Sequence, residues 1–371
     1  MTAARWLALA CVFSLVCATA QRKKKKDEET QTLQEPRELP AAVMGETRRL
    51  AFHVTPLSSR GLLSQQVRDA LKAVARDSGG EKVLKIRAFV AGSGDLRRVR
   101  DLVSEVFTDR KQPLPALSLI QAGGLPLEGA QVVMEYISAA RKDLHPFGLA
   151  FLSARIAVSD NPQDPIPPLT AQSLAALRQT VRAAGAGPDG VLRVTCFLSS
   201  LDKLEASRQM VAEAYPKAAL NFVQTERAPA RALAACEAVA SLNASTGTAL
   251  TLSNAPDVPA EPGESQMALV GAPQVVLTGT QVSFGYEEKD ARLAFERLER
   301  VLRECGATPD SVAFTHYYPL SAGIAAQVRK MRAEFFSPAH PPAGTMLLFE
   351  SLPSMDAGFA MDVVAVANAV H

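Results

Sequence analysis

One order of secondary-structure elements recurs three times along this chain, at intervals a little over a hundred residues, and it limits the fold more than any single motif does. Each pass reads helix, strand, helix, strand, strand. In the first, residues 65–77 place Val67, Leu71 and Val74 on one helical face, and the run Val83 to Val90 reads as a strand. A helix over 94–107 follows, with Leu96, Val99, Val103 and Val106 in one stripe, then strands over 116–121 and 131–137. The second pass uses 173–184, 191–198, 203–215, 219–223 and 233–239. The third runs from a hairpin-like stretch, Met267 to Phe284, through 291–305, 312–318, 323–336, 346–349 and 359–366. Val83, Val191 and Val312 hold corresponding places.

Linker chemistry separates the passes, most clearly the proline-rich 159–168 and the stretch 254–264. The expected division is 47–143, 144–245 and 246–371, three units that bury together what one cannot bury alone. Ahead of them, Arg5, the apolar run Trp6 to Cys17 and Ala18-Thr19-Ala20 form a signal-peptide pattern over 1–20, with cleavage between Ala20 and Gln21. Residues 21–46 begin with a basic run and then acids, and have few periodic apolar residues, so they read as a disordered charged tether. The product is expected to be exported, periplasmic or extracellular. The leader's apolar run is too short for a membrane span, and no later stretch is long and apolar enough to be one.

With 40 basic and 38 acidic residues, the net charge of +2 lacks the one-sided balance of a phosphate-neutralising surface, which argues against nucleic acid. His53, His145, His316, His340 and His371 show no metal-ligand spacing, and no motif calls for a cofactor. Cys196, Cys236 and Cys305 sit inside apolar patterns and read as core filling; a Cys196–Cys236 disulfide requires those two to lie on adjacent strands. Alternation puts His316 and Tyr318 on one strand face, where the histidine is either packed or an acid–base group.

In the third pass the order Thr278-Gly279-Thr280, Leu298, Leu302, Cys305-Gly306, Val312, Phe335-Phe336 and Pro342-Ala343 resembles the RidA (YjgF) family, and the likeness runs through each pass nearly end to end. The resemblance implies an α+β, chorismate-mutase-like fold, here repeated three times as a single-chain pseudotrimer with sheets inside and helices outside. Family members are trimers with ligand clefts between subunits, and they hydrolyse enamines and imines derived from amino acids. Intramolecular repeats would replace that trimer.

The family's carboxylate-binding arginine follows Pro-Ala on the penultimate strand; the matching residues here are Leu117, Leu220 and Gly344, none able to bind an anion through its side chain. The polar residues after them, Ser118, Asn221 and Thr345, are candidate ligand contacts. A family glutamate that positions water matches Glu135 and Glu237, the candidate catalytic residues, and Val364 in the third unit, where Asp362 lies two residues earlier. Arg100, Arg208 and Arg329 recur seven residues before Phe107, Tyr215 and Phe336. They are either relocated anion-binding groups or solvated helix charges. The implied function is a small-ligand-binding or scaffold protein with weak or no deaminase activity, taking a small carboxylate or imine-like ligand. The alternative is a deaminase that converts 2-imino acids to 2-oxo acids through the relocated arginines.

Overall fold

Three largely apolar strands, β3 (Lys82–Ala91), β7 (Val191–Leu198) and β14 (Val312–Pro319), each lie one strand in from the edge of one of three sheets. They come from a computed structural model that describes residues 37–92 and 95–367. The expected signal peptide, the tether up to residue 36 and the expected helix start at Gly94 lie outside the described residues.

The first sheet has the order β2 (Leu50–Val54), β5 (Val132–Ala139), β3, β4 (Ala116–Ala122). The second runs β10 (Leu250–Ser253), β11 (Met267–Val270), β6 (Leu149–Ser159), β9 (Ala232–Ser241), β7, β8 (Ala219–Gln224). The third runs β1 (Ala42–Glu46), β12 (Gln274–Thr278), β16 (Ala357–Val366), β14, β15 (Ala343–Met346), with β13 (Gln281–Phe284) also on β16. In every sheet that strand pairs antiparallel with one neighbour (β5, β9 or β16) and parallel with the other, an edge strand (β4, β8 or β15). Each antiparallel pair carries a bulge just after Val83, Val191 or Val312, which re-aims the residues beyond it.

Helices α1 (Leu63–Asp77) and α2 (Leu96–Asp109) cover one face of the first sheet, α3 (Ile166–Ala183) and α4 (Leu204–Ala214) the second, and α5 (Glu288–Glu304) and α6 (Ala322–Phe335) the third. Period-two alternation sorts the strands: Ile86, Ala88 and Val90 face α1 and α2, while Lys85, Arg87 and Phe89 face the other sheets. Where the sheets meet, Phe52, Phe151 and Phe314 belong to one apolar cluster and Phe89, Phe197, Tyr318 and Phe349 to another. Lys85, Arg87, Arg193, Thr195 and His316 are the polar residues met between them along the same strands.

Several boundaries differ from the sequence expectation. Residues 42–46, assigned to the tether, form β1 and pair with β12, because Val43 and Gly45 pack against apolar strands that a disordered tail would leave uncovered. Met267 to Phe284 is not a hairpin: β11 joins the second sheet through β6, whereas β12 and β13 both pair with β16. Residues 250–270, expected to open the third unit, therefore belong to the second sheet, and 42–46, expected to precede the first unit, belong to the third. α3 begins at Ile166, inside the expected linker, because Pro167 and Pro168 fit a first helical turn that has no partners for their missing N–H groups. The strand expected over 346–349 is instead Ala343–Met346, held in register with Phe314 to Tyr317.

Cys196 and Cys236 lie directly opposite each other on β7 and β9 with Cα atoms 4.1 Å apart, the close spacing of a non-hydrogen-bonded pair, and they form a disulfide rather than separate core thiols. Cys305 is free. Among the described residues no helix is long and apolar enough to cross a membrane.

Candidate functional site

Strand register brings three acids to one level. Glu135 pairs with Arg87, Glu237 with Thr195 and Asp362 with His316. Asp362, not Val364, is thus the third-sheet equivalent of the two glutamates; the sequence comparison missed this because bulge and register, invisible in one dimension, set the phase. Val364 lies two residues along, in the apolar cluster of Phe52 and Phe151.

The acids are buried, and each contacts a residue of a neighbouring sheet. Glu135 accepts from Arg87 Nε at 2.8 Å and Nη2 at 2.5 Å, from Thr195 Oγ1 at 2.5 Å and from Asn221 Nδ2 at 2.8 Å, with Arg193 Nη1 at 3.3 Å. The same Arg87 Nη2 donates to Glu237 Oε1 at 2.7 Å. Asp362 takes Lys85 Nζ, Ser118 Oγ at 2.8 Å and Tyr318 OH at 2.9 Å. His316 stands between two carboxylates, Nδ1 3.1 Å from Asp362 and Nε2 3.1 Å from Glu237, so its imidazolium donates to both and a neutral ring to one. Lys85, Arg87 and Arg193 balance the three acids. Burial, the largest influence, raises each carboxyl, but cations outweigh it: Arg193 and Arg87 hold Glu135 below the usual range, His316 and Arg87 hold Glu237 below it, and Lys85 and His316 hold Asp362 well below it.

A cavity of about 20 Å³ remains among these residues, room for one water molecule. Two atoms of residues that line it, Arg87 Nη1 and Glu237 Oε2, have no protein partner. Glu135 and Glu237 therefore occupy an inter-sheet ion network whose cavity has no room for a 2-imino acid. Ser118 and Asn221 belong to the same network, and Thr345 Oγ1 accepts from Ala154 N of the second sheet at 3.1 Å. All three make inter-sheet contacts.

The helix arginines go to three different surroundings. Arg100 is exposed and lines a cleft of about 280 Å³ between the first and third sheets with Leu117, Thr280, Phe284 and Arg297. Arg208 is half-exposed, lies over the Phe222 ring at 5.8 Å and pairs loosely with Glu205 at 3.7 Å. Arg329 is exposed. One turn further along α6, Arg332 is buried at the position that Val103 and Val211 hold in α2 and α4. Its guanidinium lies over the Tyr317 ring at 5.7 Å, and Nη1 is 3.0 Å from Glu264 Oε2. Arg155 Nη2, from β6, stands 4.0 Å from the other oxygen of Glu264. Sequence reasoning missed this trio, although an arginine at a buried stripe position was a readable signal. Among the described residues no group of His, Cys, Asp and Glu could hold a metal ion.

No protein-family model and no curated protein matches the chain. Solved structures resemble parts of it. A protein of unknown function of the conserved Rid protein family, YyfB from Yersinia pestis, is 20% identical with a TM-score of 0.30, over 32% of this chain and 99% of that one. Rv2704 from Mycobacterium tuberculosis, a member of the YjgF/YER057c/UK114 family, is 20% identical with a TM-score of 0.24, over 32% and 99%. A putative endoribonuclease L-PSP from Entamoeba histolytica is 23% identical with a TM-score of 0.24, over 32% and 98%.

Proposed function

We propose that this chain is an exported, single-chain pseudotrimer of three diverged RidA-like units that serves as a small-ligand-binding or scaffold protein and has lost imine hydrolysis. One observation carries this reading: the two glutamates expected to position water are locked by Arg87 into a buried inter-sheet network. The strand positions that would bind a substrate carboxylate hold Leu117, Leu220 and Gly344. The network suits a scaffold, since its members tie the first sheet to the second (Arg87–Glu237), the first to the third (Lys85–Asp362) and the second to the third (His316–Glu237). Export is supported by the leader-like N-terminus and by the Cys196–Cys236 disulfide, which persists in oxidising compartments.

The test is ammonia release from a freshly generated 2-imino acid by the full chain. No acceleration over buffer is expected. The competing reading, a deaminase with relocated arginines, draws support from Arg100 and Arg297 at the cleft beside Leu117. Acceleration that is lost in an Arg100→Ala, Arg208→Ala, Arg329→Ala variant would establish that reading instead.

A further inference from the structure

Two arginines, Arg155 on β6 of the second sheet and Arg332 on α6 over the third, are nearly enclosed: the Arg155 side chain is 9% exposed and that of Arg332 7%. Neither rests against a sheet partner acid. Both point at one carboxylate, that of Glu264, which arrives on the loop between β10 and β11. Beneath them the Tyr317 ring supports the Arg332 guanidinium, and its buried hydroxyl has no partner. Gly344 lies against the same ring, where an added Cβ would meet Thr315 and the edge of Tyr317.

We propose that Arg155, Arg332 and Tyr317 form a binding site for a small carboxylate, and that Glu264 is its displaceable internal ligand. The carboxylate of Glu264 is held at one point. Arg332 reaches one oxygen at 3.0 Å, while Arg155 stays at 4.0 Å, beyond hydrogen-bond range, so the two forks are not used as two arginines can use them. Burial raises the Glu264 carboxyl above its ordinary range despite Arg332 and Arg155, and Glu261 adds to that shift. A free carboxylate is not tied to a backbone and can move between the forks, so it can pair with both.

The loop that carries Glu264 suits exchange. Its base is pinned: Gln266 N donates to Asn254 Oδ1 at 2.9 Å, and the Gln266 side chain bonds Ala255 N, Val258 O and Pro259 O. Its tip, residues 260–263, is exposed and includes Gly263 at φ +74°. The tip can lift while the base keeps β10 and β11 in register.

This inference deepens the ligand-binding reading and names the ligand class for one site; absence of imine hydrolysis leaves it untouched, because the test reads binding. Glu264→Ala removes a group equivalent to acetate. Acetate should raise the melting temperature of Glu264→Ala and not that of the parent, at matched ionic strength. Its apparent Kd should be about tenfold or more below that of acetamide, the margin of a charge-assisted bond. Adding Arg332→Leu should abolish the response. A folded Glu264→Ala that ignores acetate, or a response shared by acetamide or kept in the double variant, overturns the proposal. If Glu264→Ala does not fold, amide exchange over 256–264 in the parent decides: acceleration by acetate but not acetamide supports displacement, and no change overturns it.

Discussion

Arg87 on β3 and Glu237 on β9 are 150 residues apart in sequence and 2.7 Å apart in the fold, and the same guanidinium also binds Glu135 of its own sheet. Buried pairs of this kind stabilise little relative to an apolar replacement of the whole set, but removing one partner leaves uncompensated charge. Arg87→Met takes a shared charged partner from two buried carboxylates and should cost about 3–5 kcal/mol, read as a drop in the urea midpoint. Glu135→Gln, which keeps shape and acceptor oxygen, should cost less. Equal and small losses for both would show that the network contributes nothing specific to sheet assembly.

Acid should dismantle the same network. Glu135, Glu237 and Asp362 have carboxyls held below their ordinary range, so the folded state binds their protons more weakly than the unfolded chain does. Their contribution is complete above the unfolded carboxylate pKa of about 4 and is lost as pH falls below it. Glu264 and Glu226, raised by burial, act in the opposite sense, two carboxyls against the network's three. The urea midpoint should therefore fall steeply from pH 5 toward pH 3, and less steeply in Glu135→Gln. A flat profile would contradict the network's ionisation.

The disulfide makes a separate prediction. Among the described cysteines only Cys305 should react with an alkylating reagent in native protein, and slowly at neutral pH, because burial raises its thiol and Glu304 adds to that. Cys196 and Cys236 should react only after denaturation with reductant. Cross-linking residues 40 apart restricts the unfolded chain by about 4 kcal/mol in the chain-entropy treatment, so a Cys236→Ala variant should melt measurably lower.

Sequence patterns sufficed for the local elements and failed at phase and partner choice. The strands around Val83, Val191 and Val312 were legible because each is a continuous apolar run followed by a periodic helix. The equivalence of Asp362 with Glu135 and Glu237 was not, because it depends on register set by bulges. Edge strands were hidden for another reason: β1 and β11 pair with strands remote in sequence, and period-two patterning says which face of a strand is buried without saying which neighbour it joins. The recurrence of Arg100, Arg208 and Arg329 drew attention to the helix surface. The buried cation, Arg332, broke the apolar stripe instead of recurring.

That contrast separates two neighbouring arginines on α6. Arg329 is exposed, so Arg329→Ala should change stability by no more than about 0.5 kcal/mol. Arg332 lies over Tyr317 and neutralises Glu264, so Arg332→Ala removes packing and leaves a largely buried carboxylate with only Arg155 at 4.0 Å. A loss of about 2–4 kcal/mol is expected at pH 7. The loss should shrink as pH is lowered, because a protonated Glu264 no longer needs the cation, and Glu264→Gln should restore part of the stability of Arg332→Ala. Thermal melts of the four variants across pH 5–8 read all of these effects. If Arg332→Ala loses the same stability at both ends of that range and gains nothing from Glu264→Gln, then Arg332 serves only to fill the space that valine fills in α2 and α4.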